Sequence, residues 1–343
     1  MTYPAPLLEI RNLRTWYPVR QGVLARVVDY IRAVDGVDLT IYPGETLGIV
    51  GESGCGKSTL ARTILRLERP RTGEILLDGR DVLCLKGAAL QTYRRTVQVV
   101  FQDPLASLNP RHTILDLVTE GLLAQRLIRP AEQRATAARL LQDVGLGPEA
   151  LDRYPHAFSG GQRQRICIAR ALALGPRLLI CDEAVSALDL SVRAQVLNLL
   201  AELRNRHQLS YLFITHDIGV VQHLADRIAV MYLGKIVEIG PAVTVLNTPA
   251  HPYTRLLLAS VPRIGRKLRT EDGKQSDCRI VGPSDRPTVR LLSCPFAPRC
   301  PRACDRCRAA SPELRPVGED AVPHQAACFI RAGGFRLQNS VLR

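Results

Sequence analysis

The chain has 343 residues, enough for one α/β domain of about 240 residues and a smaller appendage. It contains no run of eighteen apolar residues, and Met1-Thr-Tyr-Pro-Ala-Pro lacks the basic and apolar regions of a signal peptide. A cytoplasmic protein is therefore expected, reaching a membrane only through partners. Over half of the net charge of +14 lies after residue 261, where 16 Arg or Lys face 8 Asp or Glu in a stretch poor in aromatics. A basic face near anionic headgroups, or a solvated surface, fits that charge better than a nucleic-acid partner, which is not expected.

In chain order, Thr15-Trp-Tyr-Pro-Val19 places two aromatic residues near the N-terminus, and the Val- and Arg-rich excursion between Pro18 and Ala33 reads as a hairpin. Leu47-Gly-Ile-Val50 has strand character and Thr59 to Leu67 has helical apolar spacing. Between them lies Gly51-Glu-Ser-Gly-Cys-Gly-Lys-Ser58, a glycine-rich loop in the strand–loop–helix setting that cradles phosphates. Gly51, Gly54 and Gly56 let successive N–H groups face the phosphates. Lys57 is expected to reach the β- and γ-phosphates and Ser58 to ligate Mg²⁺. Ser53, Cys55 and Thr59 complete the expected ATP contacts.

From Asp103-Pro104 to about Pro155 the pattern becomes helical, with periodic stretches at 115–123 and 132–144; a helical subdomain over about 104–165 is expected. A second glycine-rich loop, Phe158-Ser159-Gly160-Gly161-Gln162, precedes Arg177-Leu-Leu-Ile-Cys-Asp-Glu183 by about twenty residues. The apolar run reads as a buried parallel strand that delivers two carboxylates to its C-terminal edge. Asp182 is expected to hold Mg²⁺ through water and Glu183 to polarise the attacking water. Leu212-Phe-Ile-Thr-His216 ends a third apolar strand, and His216 is a candidate γ-phosphate sensor. The core ends near Pro241, giving domains at 1–245 and 246–343, with a short helical stretch from Asn247 to Ser260.

Cys55, Cys84, Cys167 and Cys181 are scattered and read as reduced thiols. Six cysteines follow residue 277. Cys294-x5-Cys300-x6-Cys307-x20-Cys328 leaves Cys278 and Cys304 over. Four thiolates in a Pro-rich, core-poor segment suit a metal staple, either an iron–sulfur cluster or zinc, with Cys304-x2-Cys307 favouring zinc.

The order Gln102, Ser159-Gly160-Gly161-Gln162, Asp182-Glu183, Ser186-Ala-Leu-Asp189 and His216 resembles the ATP-binding subunits of ABC transporters over residues 7–240. The resemblance implies an α/β P-loop NTPase fold of ABC type, with a small Cys-rich C-terminal extension, that hydrolyses ATP. It implies two such subunits stacked head to tail, with Ser159, Gly160 and Gly161 acting on the partner's ATP. Gln102 would touch Mg²⁺ and the lytic water while its loop reads the membrane partner. Asp189 would lie at the dimer seam, and Tyr17 rather than Trp16 would stack on adenine. Ala184-Val185 departs from the Pro-Thr or Pro-Val of many relatives; neither position supplies a catalytic group, so activity is expected to survive.

His251-Pro-Tyr-Thr-Arg255, Phe101-Gln-Asp-Pro-Leu-Ala-Ser-Leu-Asn-Pro110 and Arg153-Tyr-Pro-His-Ala-Phe158 resemble the dipeptide and oligopeptide subgroup, which also includes nickel and glutathione importers. Its implied partners are a second ATPase subunit (a copy or a paralogue), two integral membrane permeases and, indirectly, an extracytoplasmic substrate-binding protein, at the inner face of the cell membrane. Some members carry a [4Fe–4S] cluster on cysteines spaced like Cys294, Cys300, Cys307 and Cys328. A soluble ABC ATPase acting on nucleic acid or the ribosome is the alternative, and the single set of motifs weighs against it.

Overall fold

In the computed structural model, which describes residues 4–22, 25–260, 293–318 and 323–330, Leu8–Gln21 (β1) and Arg26–Ile41 (β2) form a long antiparallel hairpin. Leu8, Ile10, Leu13, Val34, Val37, Leu39 and Ile41 are buried at its base. The excursion expected between Pro18 and Ala33 is the outer half of this hairpin, where Val27, Val28, Tyr30 and Ile31 stay exposed. Thr46–Val50 (β3) is buried at all five positions. The helix after it spans Lys57–Ile64. It begins two residues before the expected start, because Lys57 and Ser58 form its first turn. It stops short of Leu67 as Arg66 turns to positive φ.

Thr72–Leu77 (β4) and Arg80–Asp81 (β5) join the hairpin in a four-stranded antiparallel sheet ordered β2-β1-β4-β5. The strands of the first hundred residues are thus shared between two sheets. The long amphipathic hairpin is apolar on one side only, whereas β3 is buried on both faces and belongs to a parallel sheet. That second sheet continues with Val97–Val100 (β6), Leu178–Asp182 (β7), Ser210–Thr215 (β8), Arg227–Tyr232 (β9), Lys235–Pro241 (β10), Arg315–Pro316 (β11) and Gln325–Ala326 (β12). Its order is β11-β12-β10-β9-β3-β8-β7-β6. The pairs β6–β7, β7–β8, β3–β8 and β3–β9 are parallel.

The expected helical region contains Ile114–Ala124, Gln133–Asp143 and Gly160–Leu172. A capping box starts the first, with the Thr113 side chain accepting from Asp116 N–H and Asp116 returning the bond. Leu117, Val118, Leu141 and Ile166 are buried in one apolar cluster with the far side of β7 and β8. Each such side chain stabilises by about 2 kcal/mol of transfer free energy.

Glu238 on β10 is fully buried, with its carboxylate accepting from Ala250 N–H at 2.7 Å, His251 N–H at 2.8 Å and His324 Nε2 at 2.7 Å. One side chain therefore ties the sheet to the start of helix Pro252–Ala259 and to β12. His251 caps that helix, its Nδ1 accepting from Tyr253 N–H at 3.1 Å. Burial pushes the His251 imidazole down to about 4, with Glu238 opposing. The folded state thus favours neutral His251. Its contribution is complete above pH 6.5 and is lost as pH falls toward 4, by about 3 kcal/mol at most. His251→Asn keeps a capping acceptor without a titrating ring. Its urea midpoint should decline less than that of the wild type between pH 6.5 and 4.5.

Candidate nucleotide site

Strand order assembles the site. β8 lies between β3 and β7, with Val50 opposite Thr215 and Asp182 opposite Ile214. The glycine-rich loop, the Asp182-Glu183 pair and His216 therefore emerge side by side from the carboxyl ends of three parallel strands, where open α/β sheets bind ligands. Gln102 is exposed two residues beyond β6, whose Val100 lies opposite Cys181.

The loop tolerates no side chain at two of its glycines. A Cβ on Gly51 would sit 2.2 Å from Met231 O, and one on Gly56, at φ +113, 1.9 Å from Ala33 O. Lys57 is buried, its Nζ donating to Gly51 O at 2.8 Å and Glu52 O at 2.9 Å. Ser58 Oγ donates to Asp182 Oδ1 at 3.0 Å. Burial raises the Asp182 carboxyl above its ordinary pKa, opposed by the Ser58 hydrogen bond and aided by the charge of Glu183. A hydroxyl beside a buried carboxylate is a hard-oxygen donor set of the kind Mg²⁺ takes.

Glu183 adopts the left-handed conformation, φ +51, with its N–H bonded to Ile214 O at 2.9 Å. A non-glycine residue there is strained, and such strain gathers at functional sites. The side chain meets His216, whose Nδ1 lies 3.4 Å from Glu183 Oε1. Ala184 and Val185 are buried in the helical-side cluster, which accounts for apolar residues at both positions.

Burial raises the Tyr17 hydroxyl above its ordinary pKa, with the nearby Thr59 side chain opposing, which sets Tyr17 beside the loop helix. Trp16 is otherwise engaged, between Arg32 at 4.3 Å and Arg71 at 4.7 Å from its ring centroid. Ser159 caps the helix Gly160–Leu172 in a box with Gln162, and a Cβ on Gly161 would meet Val192 Cγ1 at 2.3 Å. This second loop tops the helical cluster, apart from the cluster that holds Cys55 of the first. Asp189 is exposed at the start of helix Leu190–His207, and Leu190 beside it is 80% exposed.

Two residues to which the sequence reading gave no chemistry, Tyr253 and Arg299, both bond Glu52 in the first loop. No local pattern signals either contact. Among the tail cysteines, Cys294 and Cys307 are buried and joined by a 2.8 Å bond from Cys294 N–H to Cys307 O. Cys300 packs against the same apolar cluster, and Cys294 and Cys300 both raise the thiol pKa of Cys328 beyond the effect of burial. Cys304, expected as spare, has its Sγ 3.5 Å from Cys307 Sγ. Among the described residues no group of three or more His, Cys, Asp or Glu side chains converges to hold a metal ion. Cys278 lies outside the described residues.

The family model described as ABC transporter matches residues 34–186, and one described as Oligopeptide/dipeptide transporter, C-terminal region, matches 237–307. The chain is 46% identical over 325 residues to the oligopeptide transport ATP-binding protein AppF of Bacillus subtilis, covering 94% of this chain and 97% of AppF. It belongs to the ATP-binding proteins of ABC transporters.

As a member of this family the chain is an ATPase. It is also 49% identical over 300 residues to the glutathione import ATP-binding protein GsiA of Pectobacterium atrosepticum, covering 85% of this chain but 48% of GsiA. The chain thus spans about half the length of the glutathione import proteins it matches. Among solved structures, the ATP-binding cassette MJ0796, a dimer bound to ADP and Pi, aligns with a TM-score of 0.60 at 30% identity, covering 68% of this chain and 98% of that one. CbiO1 of Clostridium perfringens, part of the transporter complex cbiONQ, aligns at 0.61 and 27% identity, covering 71% of this chain and 91% of that one. Among the described residues no helix is long and apolar enough to cross a membrane.

Proposed function

We propose that this ABC ATPase is the peripheral motor of an importer for dipeptides or oligopeptides at the inner face of the cell membrane. The observation that carries this reading is the meeting of Ser58 with Asp182 and of Glu183 with His216 at neighbouring strand ends. The match of residues 237–307 to the peptide-transporter C-terminal region points to the substrate class. In this reading the loop N–H groups and Lys57 bind the phosphates, and Tyr17 stacks on adenine. Ser58, Asp182 and Gln102 hold Mg²⁺, which would neutralise charge on the β- and γ-phosphates. Glu183 accepts a proton from the attacking water and His216 contacts the γ-phosphate. Ser159, Gly160 and Gly161 serve the ATP of a second ATPase subunit, and Asp189 faces that subunit. The loop after Gln102 passes the closing motion to two membrane permeases, which receive substrate from an external binding protein. Residues 1–245 form the nucleotide-binding domain, with its helical subdomain at about 104–165, and residues 246–343 the extension.

The likeness to GsiA favours glutathione as the second reading. Deleting the gene and measuring uptake separates the two. Loss of labelled dipeptide and oligopeptide uptake, restored by the wild-type chain, is the expected result. Loss of glutathione or nickel uptake alone would replace the substrate class and leave the motor standing.

The same reading assigns a [4Fe–4S] cluster to Cys294, Cys300, Cys307 and Cys328, on their spacing and on the packing of the first three in one apolar cluster. Soft thiolates suit such a cluster, and a short Pro-rich segment gains its order from one. Anaerobically purified protein should be brown with about four irons per chain, and Cys300→Ser should remove the iron. A colourless protein with one zinc, lost on Cys304→Ser, would replace the cluster with a zinc staple.

A further inference from the structure

Every polar group of Glu52, the second residue of the phosphate loop, is taken. Its carbonyl accepts from Lys57 Nζ, and its N–H donates to Tyr253 Oη at 2.9 Å. Its carboxylate forms a two-pronged pair with Arg299, Nη1 to Oε2 at 2.9 Å and Nη2 to Oε1 at 2.9 Å. The last two partners come from 201 and 247 residues away. Both are held firmly. Tyr253 is fully buried, with its ring 4.5 Å from Tyr232 and 5.5 Å from Phe296. The side chain of Arg299 is 18% exposed, and its guanidinium lies over Tyr232 and Phe296. Arg299 closes the turn Ala297–Arg299, directly before Cys300.

We propose that Arg299 and Tyr253 are positioning residues of the phosphate loop, which make nucleotide affinity depend on the cysteine-bearing segment that carries Arg299. Lys57 must leave Glu52 O to reach a phosphate. An unpaired Glu52 carboxylate would hold the ammonium back and repel the incoming phosphates. Arg299 neutralises that carboxylate in a fixed fork, which a lysine cannot reproduce. Tyr253 holds the Glu52 peptide in place while Lys57 moves. Any change that shifts the Cys294–Cys300 turn therefore reaches Lys57 through two bonds to one residue.

The inference rests on the reading of the loop as the ATP site, so binding of mant-ATP by the full-length wild type is measured first, with Lys57→Ala as its control. Arg299→Ala should weaken mant-ATP binding about tenfold, and Tyr253→Phe, which keeps the ring packing, a few-fold. Arg299→Lys should restore part of the loss. In a Glu52→Gln background, Arg299→Ala should cost little, because the charge it neutralises is gone. Binding by Arg299→Ala at the wild-type affinity, or an equal loss in both backgrounds, would overturn the proposal while the ATP site stands. Should Arg299→Ala fail to fold, Arg299→Lys and Tyr253→Phe decide by the same measurement, unchanged affinity in both overturning it. A wild type that binds no mant-ATP overturns the site reading itself and this inference with it.

Discussion

Glu183→Gln should bind ATP about as tightly as the wild type and hydrolyse it at least about a hundredfold more slowly. The amide keeps the shape of the side chain and its place near His216 Nδ1, 3.4 Å away. It cannot accept a proton from water. The bond from Ser58 to Asp182 is kept, because it does not involve Glu183. Binding and hydrolysis therefore separate, and the variant should accumulate as an ATP-bound dimer on a sizing column. Turnover near the wild-type rate, assayed with the membrane partners, would remove Glu183 from the role of base. Gly in place of Glu183 would relieve the left-handed backbone at φ +51 as well as remove the carboxylate. Stability should then rise slightly while hydrolysis is lost, so that strain and catalysis can be read apart at one position.

Lys57→Ala should fail one step earlier. Lys57 Nζ is buried and held within the phosphate loop by two of its carbonyls, and it leaves Glu52 O to meet the phosphates. Removing a charge-assisted contact of about 2 kcal/mol predicts ATP binding some thirtyfold weaker, measured by fluorescence titration of the isolated subunit. Ser159→Arg separates the two glycine-rich loops. Ser159 bonds to Gln162 and Arg163 in the first turn of its own helix, and the loop stands exposed above the helical layer. An arginine there should leave ATP binding by the single subunit within about twofold of wild type and abolish ATP-dependent dimerisation and hydrolysis. Equal loss of binding in Lys57→Ala and Ser159→Arg would sink the assignment of Ser159 to a partner's nucleotide.

What could be read along the chain was short-range. The setting of Gly51 to Ser58 needs only the apolar strand before it and the periodic helix after it, and both form at Thr46–Val50 and Lys57–Ile64. The apolar runs ending at Asp182 and Thr215 form β7 and β8, because stretches of that length without polar interruption suit only a strand covered on both faces. The helices at Ile114–Ala124 and Gln133–Asp143 follow from 3.6-residue spacing and a capping box within four residues.

Neighbourhood was not legible in this way. That β3 runs between β9 and β8, so that Ser58 meets Asp182 at a separation of 124 residues, is decided by how crossover helices pack on a twisted sheet. The division of the first hundred residues between two sheets is decided by which faces find cover, not by the alternation within each strand. The burial of Glu238 against His324, and the fork from Arg299 to Glu52, depend on where the last segment docks. A lone Arg between two cysteines and a Glu in a glycine-rich loop carry no local mark of each other. The sequence by itself determined the phosphate loop, the carboxylate-bearing strand and the family they spell, since each rests on spacing within one element. Only the tertiary structure decided which residues reach Glu52, because hydrogen bonds and ion pairs are won by proximity in space, and at long separation that proximity is set by packing of the whole.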